Sequence, residues 1–281
     1  MTTPSTPDGG DIHRGSVRMS DGQEIAYREF RGDRPVLLIH GLSLTGDHWF
    51  DLPADLAGAP QQWRPICIDN RGTGRSGRIR RPFRMERMAD DCAELLERLD
   101  ISSAHVVGMS MGGMIAQHLA VRHPEKVAGL VLVATTPCMR AGPWPGRETL
   151  KTLFDGIVRR PRSLDPLAKL LLGPTHRPQA AELLAPFIPL AMQRPTPRTT
   201  VLAQLWAVAR HDVRAALERV RCPTEILVGD ADALVPHAHA ATLASRISHA
   251  HLTTLPDIGH GLPLCAPMAV QDALSRTLTG A

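Results

Sequence analysis

The stretch VVGMSMGG, Val106 to Gly113, decides how this chain is read. It contains Gly108-x-Ser110-x-Gly112, preceded by the apolar run AHVVGMS (104–110) and followed by MGGMIAQHLAVRHP (111–124). The first run predicts a strand and the second a helix. A serine between them sits on a sharp strand-to-helix turn, a nucleophile elbow. Glycines two before and two after keep side chains out of the tight contact there. The helix that opens at Met111 aims its free amides and positive dipole end at whatever reacts on Ser110. Ser110 is therefore the candidate nucleophile, and the Met111 amide one candidate oxyanion donor.

A serine hydroxyl needs a base, and the base needs an acid to orient it. LPDIGHGLP (255–263) offers His260 just after a predicted strand, and LVGDADALVP (227–236) offers Asp230 and Asp232 just after another. The chain order Ser110, aspartate, His260 is one in which serine triads occur. A second oxyanion donor should come from the loop after an early strand. LLIHGLSLTGDHW (37–49) places His40-Gly41 there, with the Leu42 amide as candidate.

Working outward, apolar runs of strand type alternate with helical patterns. EIAYREF (24–30), PVLLIH (35–40), PICID (65–69), VAGLVLVATT (127–136), TEILVG (224–229) and AHLTTLP (250–256) predict strands. MERMADDCAELLERLD (85–100) places Met88, Cys92, Leu95, Leu96 and Leu99 on one helical face, and further helices are expected at 237–247 and 266–278. Strands alternating with helices imply an α/β fold with a mostly parallel sheet covered on both faces. Residues 137–215 break the pattern: they hold 11 of the 24 prolines, no convincing strand, and short apolar helical stretches. An insertion of that length is expected to be a helical cap or lid. The domain reading is thus a disordered tail at 1–11, a core at 12–136 and 216–281, and a cap at 137–215.

The segment IDNRGTGRSGR (68–78) carries Gly72-x-Gly74-x-x-Gly77, the spacing of a dinucleotide-binding loop. Such a loop needs a helix opening directly at it and an acid at the end of the next strand. Here Pro82 blocks immediate helix propagation, and the acids about 20 residues on, Glu94 and Glu97, fall on the predicted helix. No nucleotide cofactor is expected.

The segments quoted together resemble the α/β-hydrolase superfamily over about residues 17–278: HG at 40–41, DNRGTGRS at 69–76, GMSMGG at 108–113, GDADALVP at 229–236 and DIGHG at 257–261. The resemblance implies that 69–76, with Asp69, Arg71, Gly72, Gly74 and Ser76, is a scaffold loop beside the active site. It implies Asp232 rather than Asp230 as the triad acid, and Leu42 and Met111 as the oxyanion amides. Carboxylesterases, enol-lactonases and polyketide methylesterases are the most similar branches. The expected activity is hydrolysis of a small or medium carboxylic ester, lactone or thioester through an acyl-enzyme. The alternatives are a cofactor-free C–C hydrolase or a perhydrolase of haloperoxidase type on the same triad, and a non-catalytic binding use of the fold.

Composition bounds the partners. A net charge of +4, interspersed acids and only 4% aromatics argue against nucleic acid. No apolar run approaches the ~20 residues of a membrane span, and the N-terminus lacks the pattern of a signal peptide. Five widely spaced cysteines predict neither a disulfide framework nor a zinc cluster, which suits a reducing cytoplasm. His237 and His239 diverge on a predicted helix, and His249 and His251 lack a further ligand, so no metal is expected. In the cap, Trp144, Phe154, Phe187, Met192 and Trp206 are the candidates to line an apolar or aromatic substrate pocket.

Overall fold

The computed structural model of the protein describes residues 12–158 and 165–279, without the side chains of Phe154, Gly156, Ile157, Val158, Ile188 and Ala191. The tail at 1–11 and residues 159–164 of the expected cap lie outside the described residues.

Eight strands form one sheet: β1 (Ile12–Arg18), β2 (Glu24–Phe30), β3 (Arg34–Ile39), β4 (Trp63–Ile68), β5 (Ala104–Met109), β6 (Val127–Val133), β7 (Thr224–Gly229) and β8 (Ala250–Leu255). Their order across the sheet is β1-β2-β4-β3-β5-β6-β7-β8. The two pairings of β2 are antiparallel, and every pairing from β4 onward to β8 is parallel. The continuous apolar runs follow from burial on both faces. Leu37, Ile39, Val106, Leu130, Leu132, Ile226 and Val228 point into one layer, and Val36, Leu38, Val107, Val131, Val133 and Leu227 into the other. Period-two alternation is present, but both faces are apolar.

Helices cover those faces. α1 (Leu52–Gly58) buries Leu52 and Leu56 in the second of these layers. α2 (Met85–Arg98) buries Met88, Cys92, Leu95 and Leu96 against the opposite layer, as its pattern predicts, with Leu99 partly buried beside them. α3 (Met111–Arg122) is buried almost throughout, because it lies between the sheet and α2. Each Leu, Ile or Met so enclosed contributes roughly 1.5–3 kcal/mol.

Between β6 and β7 the described residues contain no strand. They carry α4 (Arg147–Val158), α5 (Asp165–Leu171), α6 (Ala180–Leu183), α7 (Phe187–Gln193) and α8 (Arg198–Ala209). After β7 come α9 (Ala238–Arg246), α10 (Leu262–Cys265) and α11 (Pro267–Arg276), the last two following β8. The short α10 escapes the sequence reading, and so do two elements near the N-terminus. β1 has no apolar run of its own and exists by pairing along its whole length with β2, from Ile12 opposite Phe30 to Arg18 opposite Glu24. α1 is a short helix with a proline in its first turn. Among the described residues, no helix is long and apolar enough to cross a membrane.

Candidate active site

β5, β7 and β8 run parallel, so the loops leaving their C-terminal ends emerge on one edge of the sheet. That edge is where open α/β sheets bind their ligands. Ser110 ends β5 at φ 55° and ψ −119°, a conformation that L residues rarely adopt. It costs of order 1–3 kcal/mol and persists only where the surroundings enforce it. Here Ser110 N–H donates to Val133 O (2.9 Å), and Ser110 O accepts from Gly113 N–H (2.9 Å), Met114 N–H (3.2 Å) and Thr135 Oγ1 (2.7 Å).

The glycines around it answer to close approach. A Cβ on Gly112 would lie 2.0 Å from Ile39 O, and one on Gly108 would lie 2.5 Å from Gly112 O. One on Gly41 would lie 3.2 Å from Ser110 Cβ, so the loop after β3 passes directly beside the serine. Leu42 follows at once and is half-buried against the sheet, and Met111 is buried at the first turn of α3.

His260 Nε2 lies 3.0 Å from Ser110 Oγ, and its Nδ1 lies 2.8 Å from Asp232 Oδ2. The Asp232 side chain is 0% exposed and that of His260 6%. The other carboxylate oxygen, Oδ1, accepts Leu234 N–H and Val235 N–H, both at 2.8 Å. Asp232 is therefore fixed by two backbone donors while its free oxygen faces the imidazole. Asp230 goes elsewhere: its Oδ1 accepts Asp257 N–H at 2.6 Å and ties the β7 loop to the β8 loop. The structure thus brings Ser110, His260 and Asp232 into one chain of hydrogen bonds, 150 and 28 residues apart in sequence, and leaves Asp230 out. The His260 loop rests on the inserted segment, with Gly261 N–H donating to Leu171 O at the end of α5 (2.8 Å).

Several residues that support the site were given no role of their own by the sequence. His40 accepts Gly41 N–H on Nδ1 at 2.7 Å, and its backbone oxygen accepts Asn70 Nδ2 at 3.0 Å. Burial, followed by the neighbouring His48 ring, holds the His40 imidazolium well below the usual range, so His40 is a neutral structural group beside the site. Burial also lowers His48 to about 4. From α8 and the turn before it, Gln204 and Thr196 reach Ser43, next to Leu42.

The loop at 69–76 is closed on its own chain. Asp69 accepts Gly46 N–H and Arg75 N–H, each at 2.8 Å, and Ser76 Oγ donates to Asp69 O (2.6 Å) while accepting Ala26 N–H. Gly72 and Gly74 have φ of 80° and 54°, which explains glycine there without a ligand. Arg71 makes paired 2.6 Å bonds to buried Asp91.

The cap residues singled out in the sequence do not share one surrounding. Trp144 and Met192 are 58% and 72% exposed. Trp206 is flanked by the guanidinium groups of Arg84 (5.6 Å) and Arg210 (4.8 Å). Phe187 packs on His48 with ring centres 5.0 Å apart, and the His48 ring in turn lies 6.1 Å from that of His40. The Phe154 side chain lies outside the described residues. Among the described residues no group of three or more metal-ligating side chains comes together.

The fold and this edge of the sheet define an α/β-hydrolase. The family model of the alpha/beta hydrolase fold matches residues 34–265, and the chain belongs to that family. It is similar to the pimeloyl-[acyl-carrier protein] methyl ester esterase of Aromatoleum aromaticum, 34% identical over 84% of this chain and 94% of the relative. A Caulobacter vibrioides protein named for carbamate hydrolysis is 29% identical over 92% of this chain and 94% of its own. Among solved structures, a thermophilic esterase from Thermogutta terrifontis superposes with a TM-score of 0.77 at 26% identity, covering 95% of this chain and 98% of that one.

Proposed function

We propose that the protein is a serine hydrolase of small or medium carboxylic esters, lactones or thioesters, with Ser110 as nucleophile, His260 as general base and Asp232 as its orienting acid. The observation that carries this reading is the hydrogen-bond chain from Ser110 Oγ through His260 to Asp232 Oδ2, 3.0 and 2.8 Å long. His260 Nε2 takes the hydroxyl proton as Ser110 Oγ bonds to the carbonyl carbon. Asp232 keeps the other proton on Nδ1 and stabilises the imidazolium that forms. The Leu42 and Met111 amides receive the developing oxyanion. The tetrahedral species collapses with loss of the alkoxide or thiolate, which leaves with the proton from Nε2. Water then attacks the acyl-enzyme, with His260 again as base, releasing the acid and restoring Ser110.

Residues 137–215 act as the cap in this reading, and the contacts of α5 with the His260 loop and of the α8 region with the Ser43 loop support that role. Phe187 is the cap aromatic best placed to meet an apolar acyl group. Of the relatives, the methyl ester esterase favours an ester substrate. The five unpaired cysteines suit a reducing cytoplasm.

The test is the initial rate on p-nitrophenyl esters from acetate to dodecanoate, for wild type and Ser110→Ala together. Turnover in wild type that disappears in the variant is expected, and the chain-length optimum then sizes the acyl pocket. Equal rates for the two proteins would refute the assignment of Ser110.

A further inference from the structure

The loop that carries the proposed Leu42 donor is held in a conformation its own sequence disfavours. Leu44 N–H donates to Gly41 O at 3.2 Å, closing a four-residue turn. Ser43, the third residue, has a φ of 64°, whereas Leu42 is not among the residues with positive φ. That combination is a type II turn, whose third position ordinarily takes glycine or asparagine. A serine there is relieved of strain if the Leu42–Ser43 peptide rotates to the type I form, where both central residues have negative φ.

Two side chains from the 137–215 segment hold Ser43, and the one on its N–H opposes the rotation. Gln204 Oε1 accepts Ser43 N–H at 2.8 Å, and Thr196 Oγ1 donates to Ser43 O at 2.8 Å. Both atoms of the strained residue's backbone are thereby held by α8 and the turn that precedes it. Gln204 is 0% exposed, and among the described residues its Nε2 has no hydrogen-bond partner. A fully buried amide with one half unsatisfied is a poor choice for stability alone. Methionine of similar length would avoid the unpaired donor. What glutamine supplies, and methionine does not, is an acceptor for Ser43 N–H. The bond also fixes the amide, since the reverse orientation would set two donors face to face.

We infer that Gln204 is a positioning residue that locks the Gly41–Leu44 turn in its type II form and so keeps the Leu42 amide on the oxyanion. The inference rests on the serine-hydrolase reading above. Rotation of the Leu42–Ser43 peptide turns ψ of Leu42 and leaves its N–H on the preceding Gly41–Leu42 peptide, so release of the clamp loosens the turn that seats the proposed donor without removing it. A misplacement of about 1 Å can cost a factor of ~10² in rate, and outright removal of an oxyanion donor ~10²–10³. Loss of the clamp, which leaves the donor present but loosely held, should cost about tenfold. Because the clamp comes from the segment inserted between β6 and β7, it ties formation of the oxyanion site to the seating of that segment.

The experiment compares wild type, Gln204→Met and the double variant Ser43→Gly/Gln204→Met. Reactive serines are first counted with a fluorescent phosphonate, and kcat and KM on a p-nitrophenyl ester are then expressed per titrated site. A variant that merely misfolds loses titratable sites but keeps its rate per site. The expected result is a roughly tenfold fall in kcat per site for Gln204→Met with KM within about twofold of wild type. The double variant should recover at least about threefold of that loss, because glycine holds φ near +64° without strain. A Gln204→Met rate per site within about twofold of wild type would overturn the inference, and so would a loss that Ser43→Gly does not relieve. If wild type neither reacts with the phosphonate nor hydrolyses the ester, the serine-hydrolase reading itself fails, and the clamp inference falls with it.

Discussion

Replacing Asp232 with asparagine is the sharpest probe of the site, because the structure dictates which way the new amide must face. Asp232 Oδ1 accepts two backbone N–H groups at 2.8 Å, from Leu234 and Val235. An asparagine keeps its oxygen there, since turning over would leave two buried donors without an acceptor at about 1–3 kcal/mol each. Its NH2 then lands where Oδ2 stands, 2.8 Å from His260 Nδ1. Nδ1 must become an acceptor, so the imidazole proton moves to Nε2, 3.0 Å from Ser110 Oγ. With its proton on Nε2 the imidazole has no lone pair facing Ser110 Oγ and cannot accept the hydroxyl proton. The same exchange in a serine-protease triad lowers kcat about 10⁴-fold, which is about 5.5 kcal/mol at 1.36 kcal/mol per decade. The assay is kcat on a p-nitrophenyl ester at neutral pH for wild type, Asp232→Asn and Asp230→Asn. Among the described residues the Asp230 carboxylate accepts Asp257 N–H, a role asparagine can keep, so its variant should stay within about threefold of wild type. A fall of less than about tenfold for Asp232→Asn, or a larger fall for Asp230→Asn, would refute the tautomer argument.

Two further predictions concern stability. Gly112→Ala would set a Cβ 2.0 Å from Ile39 O and 2.8 Å from His40 O, both backbone atoms that cannot yield cheaply. It should destabilise the protein by about 3 kcal/mol or more, read as a lowered urea midpoint, and an unchanged midpoint would contradict the close α3–β3 approach. His48 and His211 are held by burial at about 4 and about 3, below the ordinary 6.5. Their folded values lie below their unfolded ones, so the unfolded chain binds more protons between those limits. The stability they contribute is present above pH 6.5 and is lost as the pH falls toward 4, at up to about 2.7 kcal/mol per pH unit for the pair. Thermal unfolding at pH 7, 6, 5 and 4.5 checks this, and His211→Asn should reduce the slope by one histidine's share, about 1.4 kcal/mol per pH unit at most, because burial also lowers His40, His105 and His118.

Most of the sheet was legible because its strands are defined by local composition. Thr224–Gly229 matches its predicted span end to end, and the other buried parallel strands agree to within a few residues at their ends. β1 was not legible, because IHRGSVR has no fully buried residue and takes its place by pairing along its whole length with β2. Trp144 and Met192 were indistinguishable in sequence from Phe187, for exposure is settled by what packs alongside and not by residue type.

By itself the sequence determined the strand–Ser110–helix turn, since the glycines and the apolar runs that build it are neighbours along the chain and act through sterics of a few residues. It also limited the acid to two aspartates and placed His260 after a strand. The family resemblance already favoured Asp232, and what only the tertiary structure shows is the reason it reaches the imidazole: the amides of Leu234 and Val235 hold it there, while Asp257 N–H holds Asp230 elsewhere. The tertiary structure alone revealed Gln204 on the Ser43 turn, 161 residues away in sequence. A buried glutamine in an apolar helix has no local pattern to announce it. Its partner is brought near by the packing of the inserted segment, and a hydrogen bond exists only where two atoms meet within about 3 Å.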